Sequence, residues 1–322
     1  MNVNVYQKEG LNFVEISNEL SLKVVFCDLG ASIFNIYFDG ELMTRNVRNI
    51  KDFKNPKCYY GKTIGRTSNR IKGNKVEING ETYLLENNEG LNVLHGGKSG
   101  LSNHRFSFHI DYWLDRTEVV FFYLSKDLEG GYPGNANIEV TYTLYKNLNQ
   151  LDIKYNASSD KDTLLSLTNH SYFSLGDKDI FHLELKINSE QYLEVNRDDL
   201  LPVEVKPLNE VMDFSEFKRI VKDIDSGDLR GKMMKGYDAF FYFGDSKVAT
   251  LRNDKYLLDI LTNFEGLQMY TSNYRPAFKV DNDKQVRDSV ALEPSDSFLN
   301  PRVLNKDEKY SRFISYTFNK VR

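Results

Sequence analysis

The alternation of apolar and polar residues along most of the chain is the feature that most constrains its fold. Runs of this kind occupy residues 106–110, 119–123, 138–144, 151–155, 181–187 and 314–318. Because successive side chains of a strand point to opposite faces, such runs predict strands with one buried face. Many short strands separated by polar turns favour an all-β protein with a large antiparallel architecture.

Turn residues support the same interpretation. Asn79-Gly80 separates two alternating runs and favours the tight turn of a β-hairpin, and residues 146–149 predict another hairpin. Helical spacing is rare, and residues 211–224 are the best candidate for a helix. Since no linker rich in Pro, Gly or Ser divides the sequence, we expect a single domain over residues 1–322 with few short helices.

Composition excludes several classes of protein. Hydrophobic residues make up 40% and aromatic residues 13%, which is ample for a packed core, and the net charge of −4 comes from mixed signs. This charge distribution is not typical of a protein that binds nucleic acid or a membrane. The N-terminal residues lack the pattern of a signal peptide. Cys27 and Cys58 form no disulfide framework and no zinc pattern. We therefore expect a cytoplasmic protein.

Cofactor and metal motifs are not apparent in the sequence. The spacings of His95, His104 and His109 fit no standard zinc motif. No phosphate-binding Walker loop, dinucleotide fingerprint or serine nucleophile elbow occurs. The sequence thus predicts neither a metal nor an organic cofactor.

One segment, residues 167–175, places a histidine inside an apolar, strand-like run. His170 lies between Asn169 and Ser171. Its unperturbed pKa of about 6.5 lets histidine both donate and accept a proton near neutrality. His170 is therefore a candidate general acid or base, and the alternative is a core histidine that only satisfies its own hydrogen bonds.

Further candidates are scattered along the chain. His95 precedes a glycine pair that lets the backbone approach a ligand closely, and Arg70 follows small polar residues. Asp238 and Glu293 each adjoin short apolar runs. Each position alone is more typical of structure than of function. Together they supply two imidazoles, two carboxylates and a guanidinium, which suits a small hydroxylated ligand.

The motifs that carry these residues resemble those of one family over nearly the whole chain. They are Gly65-Arg66 with Asn69-Arg70-Ile71, Asn88-Glu89-Gly90 with Leu94-His95-Gly96-Gly97, Gly131-Tyr132-Pro133-Gly134-Asn135, Thr168-Asn169-His170-Ser171-Tyr172-Phe173, Gly236-Tyr237-Asp238, Gln268-Met269-Tyr270-Thr271-Ser272-Asn273 and Leu292-Glu293-Pro294. In identity and order they are similar to the motifs of the aldose 1-epimerases (galactose mutarotases). The resemblance implies a large antiparallel β-sandwich, the galactose mutarotase-like supersandwich fold.

The resemblance also implies a reaction, the interconversion of the α and β anomers of a free aldohexose such as galactose or glucose. Glu293 would be the general base, His170 the general acid, and His95 would assist at the ring oxygen or position the sugar. The residues implied to hold sugar hydroxyls are Arg70, Asp238, Gln268 and Asn69. The acid role requires His170 to be partly protonated at neutral pH, which a nearby carboxylate would favour. The protein would be a monomer or a homodimer.

Three alternatives remain open at this stage. A hexose-6-phosphate 1-epimerase would need Arg66, Arg105 or Arg275 to converge on the site. A non-catalytic sugar-binding protein would not need an acid and base together. A glycoside hydrolase would use Asp238 and Glu293 as a carboxylate pair about 5–5.5 or 6.5–9.5 Å apart.

Overall fold

The structure is a computed structural model that describes residues 1–276, 278–281 and 286–321. Within these ranges the chain forms 29 strands, one short α-helix and three 3₁₀ turns. The expectation of an all-β protein is therefore confirmed.

The elements are as follows in chain order. The N-terminal part contains β1 Asn2–Lys8, β2 Leu11–Ser17, β3 Leu22–Cys27, β4 Ser32–Phe38, β5 Glu41–Leu42, β6 Thr44–Arg45, α1 Ile50–Phe53, β7 Thr63–Ile64, β8 Arg70–Ile71, β9 Lys75–Ile78, β10 Glu81–Leu84 and β11 Val93–Leu94. The middle contains β12 Ser107–Tyr112, β13 Arg116–Ser125, β14 Ala136–Tyr145, β15 Gln150–Ser159, β16 Thr163–Leu164, β17 Thr168–Asn169, β18 Tyr172–Phe173, β19 Glu184–Ile187, β20 Ser189–Val195 and β21 Pro202–Pro207. The C-terminal part contains β22 Lys218–Arg219, β23 Asp238–Phe243, β24 Val248–Arg252, β25 Tyr256–Thr262, β26 Gly266–Tyr270, β27 Val290–Ser295, β28 Val303–Leu304 and β29 Tyr310–Lys320.

Three large antiparallel sheets organise these strands. Strands β1 to β5 pair in order, a nine-stranded sheet has the order β12-β13-β14-β15-β29-β25-β24-β19-β22, and a seven-stranded sheet has the order β21-β20-β23-β26-β27-β18-β6. The main hydrophobic core draws buried side chains from all three sheets. Four two-stranded pairs complete the described strands, among them β11 with β8 and β17 with β7.

The alternation in the sequence corresponds to burial in the strands. In β14 the side chains of Ile138, Val140 and Tyr142 are fully buried, whereas Glu139 and Thr141 between them are partly exposed. Burial of apolar surface on one face stabilises the fold by about 25 cal/mol per Å² removed from water. The long hairpin of β14 and β15 thus forms where the sequence predicts it.

The Asn79-Gly80 hairpin is also confirmed. Ile78 of β9 pairs with Glu81 of β10, which leaves two residues in the turn. Asn79 has φ 51° and Gly80 has φ 83°. Positive φ at both central residues matches the right-handed twist of the flanking strands, and Asn and Gly tolerate it best.

The helix considered for residues 211–224 is absent, and that interpretation was wrong. Its apolar side chains do reach the core, with Phe214 at 1% and Ile220 at 0% exposure. However, Asn209 Oδ1 accepts from the backbone N–H of Met212, and Asp213 Oδ1 accepts from that of Ser215. Such local side-chain bonds compete with helical bonds, so the segment forms turns instead.

The strand expected over residues 181–187 begins late. Strand β19 starts at Glu184, and the side chain of Phe181 is 41% exposed. Asp179 accepts a hydrogen bond from the backbone N–H of Phe181, and the N–H of Leu183 bonds to the carbonyl of Ile180. These two turns delay the strand.

In the described ranges, no helix has the length and apolar character that crossing a membrane requires. Both cysteines are buried free thiols, and Cys27 packs among apolar side chains.

Candidate active site

Three neighbouring strands of the seven-stranded sheet bring polar side chains to one face. Gln268 of β26 pairs directly with Glu293 of β27, and Asp238 of β23 pairs with Tyr270 of β26. Residues two apart on a strand share a face, so Gln268 lies diagonally beside Asp238. The Gln268 side-chain amide donates to Asp238 Oδ1 at 2.6 Å. The sheet therefore aligns an amide and two carboxyl groups.

His170 reaches these groups from the link between β17 and β18. Its backbone N–H donates to the carbonyl of Lys62, and its carbonyl accepts from the N–H of Gly61. Its Nε2 lies 3.4 Å from Glu293 Oε1, and the exposed fractions of the two residues are 4% and 3%. Its Nδ1 has no hydrogen-bond partner among the residues that the structure describes. We call His170 and Glu293 the proton pair.

The second histidine, His95, follows β11 in a loop of positive φ. The backbone N–H of Asn69 donates to its Nδ1 at 3.3 Å, which leaves Nε2 as the protonated nitrogen of the neutral ring. The rings of His95 and His170 lie 5.2 Å apart at 78°. His95 is thereby held as a hydrogen-bond donor beside the proton pair.

The glycines after His95 are needed for packing within the chain. Gly96 has φ 86°, and a Cβ at this position would lie 1.9 Å from the carbonyl oxygen of Gly65. A Cβ on Gly97 would lie 2.3 Å from the carbonyl oxygen of Glu86. The close backbone approach expected of this pair is thus to other segments of the chain, and it fixes the His95 loop.

Arg70 connects the same region to a third carboxylate. Its Nε and Nη2 donate to the two carboxylate oxygens of Glu89 at 2.8 and 3.1 Å. Its Nη1 lies 3.8 Å from Asp238 Oδ2. We call Arg70, Glu89 and Asp238 the charged cluster.

The proton pair and the charged cluster line one cavity of about 300 Å³. Asn69, whose side-chain amide donates to Gln268 Oε1 at 3.0 Å, also faces it. The remaining lining residues are mainly aromatic or apolar, namely Tyr59, Leu94, Tyr172, Leu200, Met233, Tyr270 and Tyr274. A small cavity with convergent polar groups and aromatic walls is typical of a ligand site.

Burial displaces the pKa values of the proton pair in opposite directions. It lowers the pKa of His170 to about 3, and it raises that of Glu293 well above its usual value. The nearby Asp238 raises the Glu293 pKa further, and Arg70 opposes this. Burial thus favours the neutral imidazole of His170 and the protonated carboxyl group of Glu293, contrary to the expectation that a nearby carboxylate keeps His170 partly protonated.

Burial also shifts the pKa values of His95 and Asp238. Burial lowers the pKa of His95 well below its usual value, with His170 and Arg70 adding to the effect. Burial also raises the pKa of Asp238, although Arg70 opposes the shift. Displaced pKa values that cluster in a cavity are typical of functional sites.

The structure brings together all seven residues singled out in the sequence: Glu293, His170, His95, Arg70, Asp238, Gln268 and Asn69. Their individual roles stay predictions. Sequence reasoning assigned no role to Glu89 or to the tyrosines of the wall. Glu89 lies six residues before His95 in the same motif, but only the pairing of β8 with β11 brings it near Arg70.

Other candidates lie elsewhere. Arg66 is buried and donates to Ser125 Oγ and to the backbone carbonyls of 125, 126, 133 and 134, so it ties loops together. Arg105 pairs with Asp28. His104 bonds to Tyr123, and His109 to Asp111. Across the described ranges, no three His, Cys, Asp or Glu side chains are placed to hold a metal ion.

A larger hollow, of about 570 Å³, lies on the nine-stranded sheet. Its wall includes Phe122, Leu124, Asn156 and Glu139, and none of the histidines. The titratable residues singled out in the sequence line the smaller cavity instead.

Comparison with known proteins shows the family of the chain. The family described as aldose 1-epimerase matches residues 12–317. The aldose 1-epimerase of Haemophilus influenzae is 31% identical over 296 residues, covering 87% of this chain and 85% of that protein. The maltose epimerase of Levilactobacillus brevis is 28% identical and covers 86% and 83%. Both are named as enzymes.

A solved structure has the same fold as this chain. The crystal structure of galactose 1-epimerase from Lactobacillus acidophilus superposes with a TM-score of 0.91 and 26% identity, covering 100% of this chain and 99% of that one. This confirms the predicted galactose mutarotase-like fold. Fold, cavity and sequence matches together show that the chain belongs to the aldose 1-epimerase family.

Proposed function

We propose that this protein interconverts the α and β anomers of free aldohexoses such as galactose and glucose. The observation that carries the proposal is the proton pair, with His170 Nε2 3.4 Å from Glu293 Oε1 in the wall of a small polar cavity. Changing the anomer requires one group to remove a proton from the C1 hydroxyl and another to protonate the ring oxygen. A carboxyl group and an imidazole can do both.

In the forward step, the Glu293 carboxylate takes the proton of the C1 hydroxyl as the bond from C1 to the ring oxygen breaks. The His170 imidazolium gives its proton to that oxygen, and the open-chain aldehyde forms. Rotation about the C1–C2 bond presents the other face of the carbonyl. The hydroxyl then attacks that face, His170 takes its proton back, and Glu293 returns a proton to the new C1 hydroxyl.

The acid form of His170 needs a proton source, because burial lowers its pKa to about 3. We assign that source to Glu293, because burial raises its pKa and its Oε1 lies 3.4 Å from His170 Nε2. Transfer of that proton to Nε2 converts the neutral pair into carboxylate and imidazolium without uptake from solvent. The same neutral pair is what remains after ring opening, so the cycle conserves its one proton.

The surrounding groups would orient the sugar. His95 offers its Nε2–H as a donor toward the ring oxygen or a hydroxyl. Arg70, Asp238, Gln268 and Asn69 form a connected set of donors and acceptors that suits vicinal hydroxyl groups. The tyrosine rings of the wall offer apolar surface to sugar C–H groups.

The cavity supports an uncharged monosaccharide over a sugar phosphate. Arg70 is the one guanidinium among its described lining residues, and Glu89 and Asp238 already face it. Of the arginines considered for a phosphate site, Arg66 and Arg105 are bonded elsewhere, and Arg275 is not among the residues that line the cavity. A volume of about 300 Å³ is at the lower end for ligand pockets, which favours one sugar ring.

Polarimetry tests the proposal. Freshly dissolved α-D-galactose and α-D-glucose should reach anomeric equilibrium faster with the protein than without it. If acceleration occurs only with hexose 6-phosphates, the phosphate-specific alternative is correct. If galactose binds and no anomer exchange accelerates, the protein binds sugar without catalysis.

A further inference from the structure

We propose that Glu89 makes the cavity selective for uncharged sugars by forming an ion pair with Arg70. The inference rests on the proposed function, because it concerns what the same cavity accepts. It assigns a specificity-determining role to a residue that takes no part in the proton transfers.

Glu89 binds the edge of the Arg70 guanidinium that carries Nε and Nη2. Both carboxylate oxygens accept, at 2.8 Å from Nε and 3.1 Å from Nη2. This two-point geometry is the one with which arginine would otherwise bind the carboxylate or phosphate of a ligand. Nη1, on the other side, faces Asp238 at 3.8 Å. Protein carboxylates therefore already occupy the positions that an anionic ligand would take.

Glu89 is held in position by its own loop. The backbones of Glu89 and Asn92 exchange hydrogen bonds in both directions, at 3.2 and 3.0 Å. Asn88 fastens the loop to Leu94, accepting from its N–H at 2.8 Å and donating to its carbonyl at 2.9 Å. Leu94 pairs with Arg70 across β11 and β8. One rigid unit thus carries both partners, and ordering this pair needs less loss of side-chain freedom than an ordinary surface pair.

The pair is also shielded from water. The side chain of Arg70 is 10% exposed and that of Glu89 is 24% exposed. Charge interactions are stronger in such surroundings than in water. A sugar carrying a carboxylate or phosphate would enter a cavity whose described lining holds three carboxyl groups and one guanidinium that is already paired. Removing the Glu89 charge would free the Nε and Nη2 donors of Arg70 to bind that anion, while Asp238 would still face Nη1.

The test compares binding of α-D-galactose and α-D-galacturonate by calorimetry, with mutarotation of galactose measured in parallel. The proteins are the native chain, Glu89→Gln, Glu89→Asp and the control Glu118→Gln. Glu118 accepts from Arg116 Nε at 2.7 Å on the nine-stranded sheet, away from the cavity, so it reports on loss of an ordinary ion pair. The ratio of the two dissociation constants is compared within each protein, which cancels any loss of folded material.

The native protein should bind galacturonate at least about tenfold more weakly than galactose. Glu89→Gln should shift the ratio toward galacturonate by about 10- to 100-fold, the range for a hydrogen bond to a charged group. Glu89→Asp, which keeps the charge, should shift it less, and Glu118→Gln should leave it unchanged.

An unchanged ratio in Glu89→Gln, or equal binding of both sugars by the native protein, would overturn the inference. A native protein that binds galactose without epimerising it would instead contradict the proposed function, while the ratios would still decide the role of Glu89.

Discussion

The charged cluster and the proton pair each place a glutamate beside a basic side chain, but the two pairs differ in whether charge is favoured. In the charged cluster, Arg70 and Glu89 meet through two hydrogen bonds, and the Glu89 side chain is 24% exposed. In the proton pair, His170 and Glu293 lie deeper and meet at 3.4 Å, and burial favours the uncharged form of each. Fixed charges suit recognition of hydroxyl groups, whereas an uncharged pair that shares one proton suits proton transfer.

The difference arises from solvation and from the basic partner of each glutamate. Glu89 and Glu293 are both glutamates facing a cationic or potentially cationic side chain. Glu89 keeps partial access to water and a guanidinium partner that is always charged. Glu293 is enclosed, and its partner is an imidazole that can lose its proton. The same carboxyl group can therefore hold a ligand or move a proton, depending on where the fold places it.

The largest effect should come from the proton pair. Glu293→Gln and His170→Gln should each lower kcat for galactose mutarotation by about 10²- to 10⁴-fold, since each removes one positioned proton-transfer group. KM should change much less, because neither change removes the charged cluster. Glu118→Gln serves as the control, and kcat of either cavity variant within tenfold of native, in a folded protein, would refute the assigned role.

A smaller effect is expected from the charged cluster. Asp238→Asn should lower kcat/KM by about 10- to 100-fold, mainly through a higher KM, since it weakens a hydrogen bond made by a charged group. Steady-state polarimetry at several galactose concentrations separates the two constants. A loss confined to kcat would mean that Asp238 acts in proton transfer. The distinction between the charged cluster and the proton pair would then fail.

Stability should depend on pH in opposite directions for the two members of the proton pair. The folded-state pKa of His170, about 3, lies below its ordinary value of 6.5. The contribution of His170 to the free energy of unfolding is therefore complete above about pH 6.5 and is lost as pH falls toward 3. The slope for one such group is at most about 1.4 kcal/mol per pH unit. His170→Gln should therefore lose less stability than the native protein between pH 6.5 and 4.

For Glu293 the sign reverses, because burial raises its folded-state pKa. The unfolded chain releases this proton first as pH rises above about 4.5, so the contribution of Glu293 falls as pH increases from there. Glu293→Gln should gain stability relative to the native protein from pH 5 to pH 7. Urea unfolding at several pH values measures both effects, and parallel curves for all three proteins would contradict the burial argument.

The smallest effect is expected in the larger hollow. Asn156→Ala removes a polar side chain from its wall without touching the cavity. Its kcat/KM should stay within about twofold of native, since surface substitutions of this kind usually change free energies by less than about 0.5 kcal/mol. A tenfold loss would show that the chemistry is not confined to the smaller cavity.

Much of the fold could be predicted from local patterns. The hairpin at Asn79-Gly80 and the strands β14 and β15 follow from turn chemistry and alternation, which act over a few residues. Residues 211–224 were misinterpreted because their apolar spacing resembles a helix, whereas Asn209 and Asp213 form turns there. Apolar spacing records burial, but it does not show which hydrogen bonds the backbone makes.

The candidate site was predicted in part. The seven residues could be named because each lies in a motif that resembles the family. The contact of Glu89 with Arg70 depends on the pairing of β8 with β11, and the protonation of His170 depends on how completely the fold buries it. Both are consequences of tertiary structure that no local pattern contains.

The most direct test of the central claim, that His170 and Glu293 act as one proton-sharing unit, is a double-mutant cycle. Galactose mutarotation would be measured at pH 7 for native protein, His170→Gln, Glu293→Gln and the double variant. Groups that act as a unit give strongly non-additive losses, so the double variant should be about as slow as the slower single variant. If the two losses multiply, the residues act independently, and the account of a shared proton is wrong.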